Sequence, residues 1–318
     1  MGVSDDGVDL SVVIAAYNAA ATLPAQLAAL AGQRATCTWE VVLADNGSHD
    51  GTVAVARAFA GRLPALRVVD ASERRGAAAA RNTGAQAARG RSLAFCDADD
   101  VVADGWVQSM FEALARHDFV AGRFDGARLN TPDVLASRVL PQSDGLQESA
   151  LLPGLRHAGA GNMGVRADLF RRVGGFDEAL RCLEDTDLCW RIQLSGVPLA
   201  YADEALVHVR LRAGLRSTVR QGFAYGAAER GLARRYANVA AGAATRPPQP
   251  AVAAEQQPGT AARLLRRVLG VGAGLARVRR RGELLALCWS TAWGLGFALG
   301  HGPEPEPVRL PPKESHAP

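Results

Sequence analysis

The sequence predicts an α/β fold in which helices flank a mostly parallel central sheet, and three observations lead to this prediction. Four short apolar runs in the first hundred residues have the composition of strands that are buried on both faces. Helical segments separate these runs, and polar residues follow directly where the runs end. Alternation of this kind is typical of right-handed βαβ units, whereas a helical bundle would need longer apolar periodicity.

Each element can be placed in order along the chain. The four apolar runs predict strands at 10–16, 39–44, 66–69 and 92–96, and two further extended segments lie near 118–124 and 199–207. Helices are predicted at about 22–32, 51–60, 76–89, 104–117, 185–195 and 215–237. Carboxylates in the first turn and Gly196 after the last turn support the helix at 185–195. Residues 120–160 are rich in loop formers and give no clear element.

Composition divides the 318-residue chain into a globular domain and a tail. The predicted segments are a globular domain at 1–238, an Ala/Pro/Gln-rich linker at 239–260, a basic and apolar helical tail at 261–301, and a disordered C-terminus at 302–318. The tail holds seven arginines and one glutamate, a local charge of +6, which leaves −2 of the total +4 for the remainder. Because a nucleic-acid-binding domain carries its basic face on the folded part, we expect no nucleic-acid partner.

Cysteine usage and the N-terminal residues predict a cytoplasmic protein. The five cysteines are irregularly spaced and form no C-x-x-C pair, a pattern typical of reduced thiols rather than of disulfides or a zinc site. Residues 1–9 are acidic and lack the cationic start and the apolar run of a secretion signal. The main domain is therefore expected inside the cell.

The charge pattern of the tail predicts that the protein binds peripherally to the inner face of the cell membrane. Residues 284–300 carry no charge, and a cluster of arginines between 277 and 281 precedes them, which suits anionic lipid headgroups. The uncharged stretch is short for a bilayer span. Three arrangements stay open: helices lying on the membrane surface, a span, or a helix packed on the globular domain or on a partner subunit.

Two acidic motifs carry the candidate chemistry. Asp97 and Asp99 directly follow the apolar run at 92–96, where two acids spaced i, i+2 can hold a divalent cation together with water and phosphate oxygens. Glu184 and Asp185 begin a predicted helix, where a carboxylate acts as a general base or caps the helix. The first strand is followed by neither a Walker-type loop nor a G-x-G-x-x-G motif, so phosphates would be held by metal and arginine.

Polar residues also follow the other predicted strands. Tyr17 and Asn18 follow the first run, and Asp45 and Asn46 follow the second. The carboxyl ends of parallel strands meet at one edge of a sheet, where open α/β folds bind ligands. We therefore expect these side chains to share a site with Asp97, although any one of them alone would also serve as a turn or cap residue.

Five segments in this order resemble family 2 glycosyltransferases of the GT-A fold. They are S-V-V-I-A-A-Y-N at 11–18, E-V-V-L-A-D-N-G-S-H-D-G-T at 40–52, R-R-G-A-A-A-A-R-N-T-G at 74–84, A-F-C-D-A-D-D at 94–100, and G-G-F-D-E with E-D-T-D-L-C-W-R between 174 and 191. The resemblance extends over residues 9 to 235. It implies a nucleotide-sugar donor, a divalent cation (Mg²⁺ or Mn²⁺) and inversion at the anomeric carbon. It also implies a hydroxyl acceptor, which would be a glycan of the cell envelope, a lipid-linked sugar or a small molecule.

The resemblance assigns donor-binding roles to the residues that match its motifs. These residues are Tyr17, Asn18, Asp45, Asn46, Arg81 and Asp97. Asp45 and Asn46 would contact the nucleobase or ribose, although the family often has a second acid where Asn46 stands. Arg81 would either support the diphosphate or only pair with Asp97.

The resemblance also implies the remaining site residues. Asp185 would be the general base, with Glu184 as the alternative. The implied metal ligands are Asp99, Asp97 and His208, and the implied acceptor residues are Gly161 and Asn162. For His208 the alternative is an ordinary structural histidine.

Two other functions stay open as rivals. A sugar nucleotidyltransferase has a similar fold but needs a glycine-rich basic loop after the first strand, and A-A-Y-N at 15–18 does not supply one. A catalytically silent glycan- or nucleotide-binding module would not need Asp97, Asp99 and Asp185. Turnover of the donor discriminates this module from an enzyme.

Overall fold

An eight-stranded sheet forms the centre of the computed structural model, which describes residues 7–244 and 278–300. The strands are β1 (Leu10–Ala16), β2 (Trp39–Asp45), β3 (Leu66–Asp70), β4 (Ser92–Asp97), β5 (Val101–Val102), β6 (Phe119–Asp125), β7 (Gln147–Glu148), β8 (Arg156–His157), β9 (Asn162–Arg166) and β10 (Ala200–His208). The order in the large sheet is β3-β2-β1-β4-β9-β6-β10-β5, and β7 and β8 form a separate pair.

Helices connect these strands and extend beyond them. They are α1 (Leu23–Ala31), α2 (Thr52–Arg57), α3 (Ala77–Ala87), α4 (Trp106–Arg116), α5 (Pro132–Leu135), α6 (Ala167–Arg172), α7 (Glu184–Leu194), α8 (Leu215–Arg235), α9 (Ala237–Ala244) and α10 (Arg281–Leu299). All six helices and all six strands predicted above are present, with ends within a few residues of the predicted ones.

The sheet is mostly parallel, as predicted. Parallel pairing joins β3, β2, β1 and β4, and it also joins β6 and β10. The exceptions are β9, which lies antiparallel between β4 and β6, and β5, which lies antiparallel on the edge of β10. The sequence did not predict β9, because Gly164 interrupts its short run. Glycine allows close packing there, since an added Cβ would lie 2.6 Å from Met110 Sδ of the overlying α4.

The hydrophobic core is divided between the two faces of the sheet. Alternate side chains of β1 go to opposite faces, so Val12 and Ile14 pack with α1 and α4, while Val13 packs on the face of α3, α6 and α7. Helix α3 lies close to the sheet at Gly84, which has no side chain. An added Cβ at this position would be 2.6 Å from Val13 Cγ1 of β1. This close packing brings the polar side of α3 to the edge where β1 and β4 end.

The structure describes the tail only in part. Helix α9 continues to Ala244, so the described chain is still helical beyond the domain boundary predicted at 238. The rest of the predicted linker, residues 261–277 of the predicted tail, and the predicted disordered C-terminus lie outside the described residues. Helix α10 packs along α8 of the same chain, which is one of the three arrangements left open above.

Candidate active site

A cavity of about 710 Å³ opens where β1 and β4 end. Five elements or their ends supply its wall: the end of β1, helix α3, the end of β4, the start of α7 and the middle of α8. The sequence-predicted residues among its lining are Tyr17, Asn18, Arg81, Asp97, Asp99, Gly161, Glu184 and Asp185. Residues far apart in the chain therefore meet at one sheet edge, as the strand-end argument predicts.

Three carboxylates lie together on the floor of this cavity. Asp97, Asp99 and Asp100 each offer an oxygen within 4.8 Å of the others, an arrangement that could hold a metal ion. Hard oxygen donors of this kind fit Mg²⁺ or Mn²⁺, with water and phosphate oxygens completing the shell. Desolvation inside the cavity, followed by the charge of Asp97, raises the pKa of both Asp99 and Asp100. A bound cation would offset this mutual repulsion.

Arg81 joins the two predicted acidic sites. Its guanidinium donates to Asp97 Oδ1 at 2.7 Å and to Glu184 Oε1 at 2.9 Å. Burial alone would lower the pKa of Arg81, but the charges of Asp97 and Glu184 outweigh it and raise the pKa above its ordinary value. Arg81 is thus fully charged and pairs with both carboxylates, and the pairing with Asp97 is one of the two roles considered for it above.

The start of α7 presents Glu184 and Asp185 to the cavity. The preceding residue, Leu183, has a φ of 61°, a left-handed conformation that costs a bulky side chain about 1–3 kcal/mol. Asp185 accepts hydrogen bonds from the backbone N–H of Thr186 at 2.7 Å and of Ala160 at 3.2 Å. Burial raises the pKa of Asp185, and these N–H groups together with Arg81 oppose the rise.

Glu184 has a different environment from its neighbour. Burial and the charge of Asp185 raise the pKa of Glu184, whereas the ion pair with Arg81 lowers it. A carboxylate that already shares a buried guanidinium is a poor proton acceptor. Asp185, which has no ion pair within 4 Å among the described residues, is therefore the better placed base.

The predicted nucleobase side lies beside the main cavity. A second cavity of about 430 Å³ is lined by Tyr17, Asn46, Arg75 and the start of α3, and it shares Tyr17 with the first. Asp45, the last residue of β2, has one carboxylate oxygen buried without a hydrogen-bond partner in the described structure. A ribose hydroxyl or base N–H group would satisfy that atom.

The side chains of Asn18 and Asn46 also form hydrogen bonds with the backbone of neighbouring loops. Asn18 has a φ of 49°, and its Oδ1 accepts from the backbone N–H of His49 at 2.9 Å. Asn46 Nδ2 donates to the carbonyl of Arg74 at 2.8 Å, while its Oδ1 accepts from the N–H of Gly76 at 2.9 Å. Both amides thus hold the loops that line the second cavity, which explains an amide at position 46 where an acid would be repelled by carbonyls.

The comparisons with known proteins agree with this geometry. The family model described as "Glycosyl transferase family 2" matches residues 11–174, which is half of the chain. The chain belongs to glycosyl transferase family 2. The class predicted from the five segments, a glycosyltransferase, is therefore confirmed.

Curated relatives of this family 2 glycosyltransferase carry several names. "Pre-mycofactocin glycosyltransferase" of Mycobacterium tuberculosis is 31% identical over 234 residues, which are 72% of this chain and 48% of the relative. "Glycosyltransferase AglE" of Haloferax volcanii is 28% identical over 200 residues, which are 62% of this chain and 65% of the relative. The chain thus spans between about half and two thirds of these relatives.

Solved structures share the fold of this family 2 glycosyltransferase. The mannosyltransferase PcManGT from Pyrobaculum calidifontis, in complex with GDP-Man and Mn²⁺, has a TM-score of 0.58 at 20% identity and covers 91% of this chain and 87% of its own. TarS 1-349 of S. aureus in complex with UDP-GlcNAc has a TM-score of 0.54 at 16% identity and covers 92% of both chains. At these identities the likeness shows the fold, and the GT-A prediction is confirmed.

Three predicted site residues of the family 2 enzyme line neither cavity, namely Asp45, His208 and Asn162. His208 Nδ1 pairs with Asp125 Oδ2 at 2.8 Å, and His208 does not line the cavity or join the carboxylate cluster. Asn162 is fully buried, where its side chain accepts from Trp106 Nε1 and donates to the carbonyl of Ala205. The structure therefore gives Asn162 a role in joining strands, and of the predicted acceptor pair only Gly161 lines the cavity.

Several lining residues of the family 2 enzyme were not predicted. They are Asp100, Tyr225, Arg138, Arg181, Arg210, Arg212 and Arg220. Asp100 accepts from the backbone N–H of Arg210 at 2.8 Å, and its signal was its place beside Asp99 in D-A-D-D. The arginines had no motif, because loops and one distant helix bring them to the cavity.

Proposed function

We propose that the protein is an inverting glycosyltransferase that moves a sugar from a nucleotide-diphosphate sugar to a hydroxyl group of an acceptor. One observation carries the proposal: Asp185 and the Asp97–Asp99 pair line the same cavity. A base and a cation site in one cavity fit a single displacement, in which the acceptor oxygen attacks opposite the leaving diphosphate. Family membership supports the class of reaction.

The donor side would use the carboxylate cluster. Asp97, Asp99 and Asp100 would hold Mg²⁺ or Mn²⁺, which when bound stabilises negative charge on the leaving diphosphate. The lining arginines add positive charge around the same space. Asp45 would accept a hydrogen bond from the ribose or the base, since its Oδ1 atom has no hydrogen-bond partner among the described residues. The two neighbouring structures are complexes with GDP-Man and with UDP-GlcNAc, which supports a nucleotide sugar as the donor without choosing its base.

The acceptor side would use Asp185 as the general base. Its carboxylate removes the proton from the acceptor hydroxyl as the oxygen attacks, which is typically worth about 10²–10⁴ in rate. The N–H group of Ala160 holds the Asp185 carboxylate, and this hydrogen bond and the charge of Arg81 both oppose the rise that burial causes in its pKa. Gly161 leaves room beside Asp97, because a Cβ there would lie 2.9 Å from Asp97 Oδ2.

The acceptor itself would be a lipid-linked sugar or a cell-envelope glycan. The names of relatives point in this direction, since they include "Succinoglycan biosynthesis protein ExoO" and "Dolichyl-phosphate beta-glucosyltransferase". The cavity supports an acceptor that carries phosphate, because arginines of α8 and of the preceding loop line it. On this proposal the enzyme works at the inner face of the cell membrane.

Substitution of the base tests the proposal. We expect Asp185→Asn to lower the rate of sugar transfer by at least about 10² and to leave nucleotide affinity within a few-fold of the wild type. Glu184→Gln should cost less, and Asp118→Asn, an exposed acid away from the cavity, should cost nothing. Turnover of radiolabelled donor and thermal shifts with UDP, GDP and dTDP, each with and without Mn²⁺, are the measurements.

Each alternative function gives a distinct result in the same experiment. Nucleotide binding without donor turnover would indicate a silent binding module. Release of diphosphate from a nucleoside triphosphate and a sugar phosphate would indicate a nucleotidyltransferase. A wild-type rate of sugar transfer in Asp185→Asn would reject Asp185 as the base. Thermal shifts with nucleotide that are the same with and without Mn²⁺ would reject the metal site.

A further inference from the structure

The backbones of helices α8 and α10 contact each other directly, because glycines lie at the points of closest approach. A side chain at Gly226 would collide with the backbone of Trp293, and one at Gly296 would collide with the backbone of Phe223. Gly222 lies against Trp289 and Ala292, and Gly300 lies against Ala227. Gly222 of α8 contacts residues 289–293 of α10, and Gly226, one turn later, contacts residues 293–297. The two helices therefore run parallel, with both N-termini at one end.

Five large apolar side chains on this helix pair are exposed. On α8 they are Leu215, Val219 and Phe223, spaced four residues apart, and on α10 they are Leu295 and Leu299, also four apart. We call these five residues the apolar strip. Their exposed fractions are 41–57%, and they make up five of the seven exposed large hydrophobic residues in the described chain. The two rows meet where Gly296 packs on Phe223.

Positive charge accompanies the apolar strip. Arg212, Arg216 and Arg220 are exposed and spaced four apart beside the α8 row, and Arg279, Arg280 and Arg281 are exposed at the start of α10. The parallel packing puts both sets of arginines toward the same end. The acids of the two helices are Glu229, which accepts from Trp293 Nε1, and Glu283, which accepts from the backbone N–H of Arg279. The exposed surface of the pair is therefore cationic and apolar.

We propose that the apolar strip and its arginines seat the enzyme on an anionic lipid bilayer. A surface with apolar side chains at its centre and arginines alongside matches the boundary between headgroups and acyl chains. A second copy of the chain fits worse, because an isologous interface would bring the arginines of both copies together. The surface lies on α8, whose Arg220 and Tyr225 line the cavity, so seating brings the cavity to the headgroups.

Packing of α10 favours seating over spanning. Helix α10 has 19 residues and a mean hydropathy of 1.2, so length and composition alone would allow it to cross a bilayer. Its backbone, however, lies directly on α8, which carries five arginines, one of which, Arg220, lines the cavity. A spanning α10 would either leave α8 or carry those charges into hydrocarbon, which is costly. The seating proposal rests on the proposed function only for the position of the acceptor, and not for lipid binding itself.

Vesicle sedimentation of the full chain tests the seating proposal. We expect binding to vesicles of phosphatidylcholine with phosphatidylglycerol, weaker binding to phosphatidylcholine alone, and weakening by salt. Val219→Glu combined with Leu299→Glu should weaken binding at least tenfold. The matched control, Ala58→Glu combined with Ala115→Glu, adds the same charge at exposed positions off the strip and should bind nearly as the wild type. Arg216→Gln should weaken binding more than Arg116→Gln does.

The outcomes that would overturn the seating proposal are separate from those that test the transfer reaction. Wild-type chain that stays in the supernatant, or strip variants that bind as the wild type does, would reject it. A dimer by light scattering that the strip variant disperses would assign the surface to a second copy instead. Donor turnover in vesicle-free solution should be unchanged in the strip variant, since neither residue lines the cavity. If the wild type shows no donor turnover, the proposed function is rejected, while the proposal of lipid binding is unaffected.

Discussion

Arg81 is the side chain on which the geometry of the cavity depends most. It lies on α3, is buried, and pairs with both Asp97 at the end of β4 and Glu184 at the start of α7. Removal of one partner from a buried ion pair typically costs about 3–5 kcal/mol, since a charge is left uncompensated. The pairing explains how two acidic motifs, separated by more than eighty residues in sequence, keep a fixed relation.

Substitution of Arg81 should change the pH dependence of the reaction. The charge of Arg81 lowers the pKa of Glu184 and of Asp185, so Arg81→Met should raise both pKa values and move the acid limb of kcat/KM to higher pH. Arg81→Lys keeps the charge and should move the limb less, which makes it the control for folding. Unchanged acid limbs in both variants, with a general loss of rate, would mean that Arg81 only supports the fold.

Positions of single residues in the cavity could be predicted only where a motif fixed both the residue and its place in the fold. Asp97, Asp99 and Asp185 lie in the cavity as predicted, since each directly follows or begins a regular element. The side chains of His208 and Asn162 lie outside the cavity, because partners from other strands, Asp125 and Ala205, hold them. Such long-range hydrogen bonds leave no trace in local sequence.

At the scale of elements, α10 supports the wall of the cavity. Trp289 of α10 packs on Tyr225 of α8 with ring centroids 5.7 Å apart, and the guanidinium of Arg138 lies 4.5 Å from the centre of the Trp289 ring. Both Tyr225 and Arg138 line the cavity, whereas Trp289 does not. A helix far along the chain thus positions two side chains that line the cavity.

Removal of the Trp289 ring should therefore weaken substrate binding. We expect Trp289→Ala to raise KM for donor or acceptor by about tenfold, since Tyr225 and Arg138 lose a rigid neighbour worth roughly 1 kcal/mol or more. Trp293→Ala is the matched control, because Trp293 packs on Phe297 and Glu229 instead. Steady-state kinetics with thermal unfolding separates the two effects. Equal KM values in the two variants would contradict a positioning role.

Strand and helix positions were largely predictable, and the connections between the two halves were not. Continuous apolar runs identify β1, β2 and β4 because those strands are covered on both faces. The antiparallel β9 has only five residues with a glycine in the middle, so no run identified it. Its position between β4 and β6 results from tertiary packing, and it places Gly161 beside Asp97.

For the molecule as a whole, stability should depend on pH through His157. Burial lowers the pKa of His157 from 6.5 to about 4, and the ring packs edge-on against Trp190 at 6.3 Å. The ring is neutral in the folded protein, while in the unfolded chain it gains a proton below its ordinary pKa. The contribution to stability is therefore complete above pH 6.5 and is lost as pH falls toward 4, at most about 3 kcal/mol.

Substitution of His157 measures this contribution. We expect His157→Gln to be less stable than the wild type at pH 7.5 and to lose less further stability between pH 6.5 and pH 4.5. The exposed His117 provides the control, and His117→Gln should keep the pH slope of the wild type. Urea unfolding at a series of pH values gives the slopes. A slope for His157→Gln that equals the wild type would show that His157 titrates normally in the folded protein.

The whole site also reaches beyond the segment that identifies the family. The family match ends at residue 174, whereas Asp185, Tyr225 and Trp289 all follow it. The places of Arg81, Asp97 and Asp99 in the cavity could be predicted from motifs, which lie within that segment. The wall formed by α8, α10 and the loop before α8 could not be predicted, because packing alone brings these elements together.

Close packing of α8 on α10 leaves a mark that can be recognised without coordinates. Glycines at 222, 226, 296 and 300 are needed because the two backbones touch at those points. A genome survey could therefore screen related chains for this four-glycine signature across two distant segments. Chains that keep it are expected to carry the docked C-terminal helix, and chains that have bulky residues at those places would have to build the outer wall of the cleft in another way.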